Sequence, residues 1–150
     1  RLFKGRNLYV SGACLMTREM AEEKRLGDYL LLDEQMVTSQ VAVNLYAEAK
    51  QQKVVLVEAG VPWYLVDEEL ELIPSGETEL ALQTKNVLTQ KEKQFMIELD
   101  PLTGRLDRHC RLMLRIRFES PSQCIVTIKD EGFGELFPTS NRIWEKQVEL

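Results

Sequence analysis

The side chains able to do chemistry are few and scattered. Three cysteines, Cys14, Cys110 and Cys124, accompany a single histidine, His109. A disulfide-held secreted domain shows an even and denser cysteine set. Zinc ligation needs close pairs such as C-x-x-C, and His109 beside Cys110 has no second pair near it. Neighbouring residues on a strand point to opposite faces, so these two do not form a nucleophile and base. The cysteines are expected to be small buried hydrophobes in a reducing, cytoplasmic compartment.

Other clusters carry bland readings beside sharp ones. Asp130-Glu-Gly-Phe-Gly-Glu135 gathers three carboxylates around two glycines. Calcium would need six or more oxygens in a fixed loop, and acidic side chains repel phosphate, so a structural turn is expected. Arg105, Arg108, Arg111, Arg115 and Arg117 form the one basic cluster. Residues 51–100 hold four Lys against ten Asp and Glu, so cross-strand pairing competes with an acidic partner surface. Trp63 and Tyr64 are either an exposed recognition spot or core or edge packing, and Asp67-Glu-Glu69 reads as a solvated turn. There is neither G-x-S-x-G nor a P-loop, and no nucleophile, base and orienting group converge. The chain is expected to be non-catalytic, with no metal and no cofactor of its own.

These residues must be positioned by a core. The 150 residues are 44% hydrophobic and 29% charged, with a net charge of −5. That balance excludes global disorder and argues against nucleic acid as a partner, because phosphate neutralisation needs a basic face. No apolar run approaches the roughly 20 residues that cross a bilayer, and no membrane association is expected. A chain that opens on Arg1 reads as a piece of a longer protein.

Two periodicities divide the sequence. From Ser11 to Leu26, Ala13, Met16 and Met20 recur at helical spacing, with Lys24 and Arg25 in the last turn and Gly27 as a C-cap. Arg1–Val10 reads as an extended lead-in. Beyond Gly27 the period becomes two: Val37–Ala47, Glu69–Ile73, Glu79–Gln83, Phe95–Leu99, Arg111–Glu119, Cys124–Ile128 and Trp144–Leu150. Lys53–Val57 is an apolar run, rich in valine, that also reads as a strand. One-face alternation implies antiparallel sheets, each with a wet and a dry side, that pair into a sandwich. The predicted architecture is mainly β, an eight-stranded antiparallel β-sandwich preceded by one α-helix.

Three features together resemble the junction and substrate-binding sandwich of DnaK-type heat-shock chaperones. Gly5–Ala13, GRNLYVSGA, runs into a helix as the end of that family's actin-like ATPase domain does. Asp28-Tyr-Leu-Leu-Leu-Asp33 is similar to the D-V-L-L-L-D interdomain linker. Cys124–Gly134, CIVTIKDEGFG, resembles the family's late strand and turn, and Phe95–Phe118 follows its strand order. The family's T-P-L-S-L-G after the linker is replaced here by Met36-Val-Thr-Ser-Gln40, and its helical lid is missing, which suggests a divergent branch.

The resemblance implies an ATPase-derived appendage over 1–27, a linker over 28–35 and a sandwich over 36–150. It implies that Asp28, Tyr29, Leu30, Leu31, Leu32 and Asp33 dock conditionally onto an upstream ATPase domain, where ATP and Mg would bind; the same run also reads as a plain edge strand. Burying one Leu is worth roughly 1.5–3 kcal/mol, so such a segment can bias a domain equilibrium. It further implies a peptide groove between Tyr46, Ala47 and Glu48 in one loop and Ser75, Gly76 and Glu77 in another, positions that read equally as hairpin turns. The expected partners are a peptide or protein and the upstream domain, with weak self-association through the uncovered leucines. The alternatives are a structural β-sandwich that self-associates without a groove and a carbohydrate-binding sandwich using Trp63, Tyr64 and Trp144.

Overall fold

The computed structural model describes residues 8–22, 32–47, 50–74, 79–99 and 110–150. The chain forms two compact units, 1–31 and 32–150. In the first, helix α1 spans Leu8–Glu22. It starts a turn before Ser11, so Leu8–Val10 is helical rather than extended. Tyr and Val cost only tenths of a kcal/mol in a helix relative to Ala, less than a new nucleus would. Lys24, Arg25 and Gly27 lie outside the described residues.

The second unit is an antiparallel β-sandwich. Its strands are β1 Ser39–Ala47, β2 Lys50–Val57, β3 Asp67–Leu72, β4 Glu79–Asn86, β5 Glu92–Glu98, β6 Leu112–Ser120, β7 Gln123–Asp130 and β8 Ile143–Glu149. One sheet has the order β2-β1-β4-β5 and the other β3-β6-β7-β8. The inner faces meet in one core that includes Val41, Val43, Leu82 and Ile97 from the first sheet. Leu112, Leu114, Ile116, Phe118, Val126, Ile128 and Val148 come from the second. The alternation read over Arg111–Glu119 therefore holds: Leu112, Leu114, Ile116 and Phe118 are buried while Arg111 and Arg117 face solvent.

Two local departures have physical causes. Between β1 and β2 the register steps from Val41↔Val57 to Ala42↔Val55, which makes Leu56 the extra residue of a bulge. Val54 and Leu56 both pack against the core and Val57 is buried, which is why this strand reads as an apolar run. Asp67-Glu-Glu69 is not a turn but the start of β3. Arg115 donates from Nε to Asp67 Oδ1 at 2.6 Å and lies 3.5 Å from Glu69, while Arg111 lies 3.8 Å from Glu71. An edge strand of alternating carboxylates is held by the arginines of its neighbour.

The hydrogen bonds from Arg115 hold the Asp67 carboxyl below its usual 3.8, against a weaker upward push from desolvation, and the charges of Arg115 and Arg117 add to the lowering. A depressed carboxyl stabilises the fold above the unfolded value, and that stability disappears as pH falls through the folded value. Asp67→Asn is therefore expected to lower the urea midpoint slightly at pH 7 and to leave it unchanged near pH 2. The effect is small because the pair is exposed and salt screens it.

Candidate functional site

The linker and groove residues enter the structure only in part. Asp28–Leu31, Glu48 and Ser75–Glu77 lie outside the described residues. Leu32 is half-buried and Asp33 exposed, its Oδ1 accepting a hydrogen bond from Gln35 N at 2.7 Å. Residues 32–35, read as linker, belong to the compact sandwich unit. Trp63 N donates to Gln35 O at 3.0 Å and Val37 N to Val61 O at 2.9 Å, and Trp63 Nε1 reaches Gln35 Oε1 at 3.1 Å. The chain thus enters the sandwich welded to the 60–63 turn.

Tyr46 and Ala47 are the last residues of β1, paired with Gln51 and Lys50 across the hairpin. The β1–β4 ladder runs antiparallel from Ser39↔Asn86 to Val43↔Leu82. The end of β1 and the start of β4 consequently share one end of the sheet. The β1–β2 and β3–β4 connections, which carry both groove segments, emerge there.

A third connection joins them at that end, since Leu72 pairs with Leu112 and Leu112 with Asp130. It covers 131–142, and it resolves the acidic cluster. Asp130 is fully buried, and its carboxylate accepts from Gly132 N at 2.9 Å and Ser140 N at 2.8 Å. Its carbonyl accepts the Thr139 hydroxyl, and Asp130 N donates to Arg142 O at 3.1 Å. Glu131 pairs instead with Lys129 at 2.7 Å, and Glu135 is exposed. The three carboxylates do not converge, and the turn reading stands. Among the described residues no group of three or more His, Cys, Asp or Glu is placed to hold a metal.

Gly132 has φ +68°, and a Cβ there would sit 2.6 Å from Phe137 O and against Thr139 N. Phe133 N donates to Phe137 O at 2.6 Å. A loop tied this firmly nonetheless presents Phe133 at 49% and Leu136 at 86% exposure, with Ile73 at 59% at the end of β3. The sequence reasoning passed over Phe133 and Leu136. The signal was there in Phe-Gly-Glu-Leu-Phe, three large apolar residues inside a glycine turn.

The aromatic candidates separate. Trp63 and Trp144 pack against the core, whereas Tyr64 is 61% exposed and meets Trp63 edge-on at 5.8 Å. No shared aromatic platform forms among these three, which removes the basis of the carbohydrate reading. The cysteines separate too. Cys110 and Cys124 are buried, but Cys14 on α1 is exposed, contrary to expectation, because the α1 residues around it are themselves exposed. Burial pushes the Cys124 thiol from 9.0 up to about 11. Alkylation at pH 8, resolved by mass spectrometry, is expected to modify Cys14 rapidly and Cys124 only on unfolding. The raised thiol stabilises the fold fully below 9.0, and that contribution is lost as pH rises to about 11.

The fold and its loop-bearing end define a two-sheet antiparallel β-sandwich in which alternate connections gather at one end. Residues 36–150 match the model of a domain of unknown function, DUF8552, and the chain belongs to that family. No curated protein and no solved structure matches it. Among the described residues no helix is long and apolar enough to cross a membrane.

Proposed function

We propose that the sandwich is a non-catalytic interaction domain of a DnaK-like, actin-fold ATPase, binding a peptide or partner protein at the end where the β1–β2 and β3–β4 connections emerge. The observation that carries this reading is a hydrogen-bonded loop at that end displaying Phe133 and Leu136. Loops positioned by a well-tied scaffold are disproportionately the carriers of binding side chains. An extended segment can take main-chain hydrogen bonds from such a rim and seat a side chain on the apolar tip. ATP and Mg belong to the upstream domain in this reading, and the linker residues 28–33 couple the two. The resemblance of the linker and of CIVTIKDEGFG to the chaperone family supports it, as does the two-sheet, eight-strand architecture which that resemblance implies.

The alternative, a structural sandwich that self-associates, rests on the polar stretch Ala47–Gln52. Edge-to-edge pairing is an unfavourable form of it. Glu68 on β3, Lys93 on β5 and Lys146 on β8 occupy inward-phase positions opposite Ile116, Thr84 and Val126, and inward charges on edge strands oppose such pairing. Fluorescence polarisation against a library of labelled extended peptides tests the proposal. Binding that Leu136→Ser weakens, with the fold intact, is the expected result; a chain that binds no peptide and sediments as a dimer favours the alternative.

A further inference from the structure

The four edge strands form two lateral sides of the sandwich, and these sides are closed differently. On one, β2 and β3 are joined through residues 58–66, with Val57 and Val66 buried and Val37 bonded to Val61 and Gly60. On the other, β5 ends the first sheet and β8 the second. There the inner positions of β8 are Trp144, Lys146 and Val148, opposite Ile128, Val126 and Cys124. Two apolar residues thus flank a lysine where burial alone would favour a third. Lys146 is exposed, but its ammonium is bonded. Its Nζ donates to Met96 O on β5 at 2.6 Å, spanning the two sheets.

We infer that the β5–β8 side is the opening seam of this sandwich and that the Lys146 ammonium is its latch. A charged donor on a strand-edge carbonyl makes a stronger hydrogen bond than a neutral one, reduced here by exposure to water. The half-buried Phe95 and Trp144 pack on the core beside the buried Ile97 and Val148. With the latch released, β5 and β8 lose a polar tie that the β2–β3 side does not depend on. Opening here bares the inner faces of two edge strands, so the seam, unlike the loop-bearing end, is a place where the fold can change shape.

Hydrogen exchange read by mass spectrometry on the full chain tests this. Lys146→Met keeps the stem and removes the donor, and Lys146→Arg keeps a donor. Amides of β5 and β8 are expected to exchange about tenfold faster in Lys146→Met, the upper end of what one hydrogen bond supplies. Those of β1, β3 and β6 are expected to stay unchanged, and Lys146→Arg to stay near the parent. Unchanged exchange in Lys146→Met, or a rise shared equally by every strand, overturns the inference. Failure of peptide binding in the preceding experiment does not bear on it.

Discussion

Leu114→Ala is expected to destabilise the sandwich by about 2–5 kcal/mol. Leu114 is 1% exposed and sits mid-strand on β6, between Leu70 on β3 and Ile128 on β7. Strands on both sides fix the backbone, so the surroundings cannot collapse into the space left, and the cost includes the cavity as well as the lost transfer energy. Arg115→Ala, one residue on, acts on the opposite face. It removes the ion pairs to Asp67 and Glu69, which are exposed and screened, and its effect is expected to be much smaller. Urea midpoints of the two variants provide the check. Equal midpoints would mean that β6 does not present Leu114 to the core. A fall in m-value would point instead to a changed denatured state.

The same strand shows why much of the fold was legible. β6 is buried on one face only, so burial writes a period of two into Leu112, Leu114, Ile116 and Phe118, and any slip by one residue would expose all four. β2 was less legible because its bulge puts Val54, Leu56 and Val57 toward the core without alternation. Asp67-Glu-Glu69 was misread because charge density suggests solvent. What makes it a strand is the arginine row on β6, a partner 48 residues away in sequence. The helix start was missed since the helical spacing was read from Ala13, Met16 and Met20, while nothing in Leu8–Val10 forbids a helix. The candidate site was the least legible part. Loop residues carry no periodicity, and the display of Phe133 and Leu136 depends on hydrogen bonds made by Asp130 to residues up to ten positions on. Counting carboxylates grouped Asp130 with Glu131 and Glu135; only the ladder shows that it points inward.

Asp130→Ala is the substitution expected to act on that site most strongly. The carboxylate takes the Gly132 and Ser140 amides. Gly132 is buried, so its N–H would be left without a partner, whereas Ser140 is exposed and water can replace the acceptor. Stranding one buried donor costs about 1–3 kcal/mol, and the methyl group cannot refill the space the carboxylate held. The bonds made by the Asp130 backbone to Thr139 and Arg142 survive, so the loss is expected to concentrate in residues 131–142. Exchange of those amides should rise beyond the change in global stability, while β1, β2 and β4 follow the global value. Gly132→Ala reaches the same loop independently, through a left-handed φ of +68° and a backbone oxygen 2.6 Å from the new Cβ. If the loop presents an apolar tip to a peptide, both variants should weaken peptide binding while the sandwich stays folded at 25 °C, and Leu136→Ser should weaken binding without altering exchange. Loss of binding in Leu136→Ser alone would show that the tip is used but that its anchoring is not needed. Unchanged exchange across 131–142 in Asp130→Ala would show that this buried carboxylate does not hold the loop.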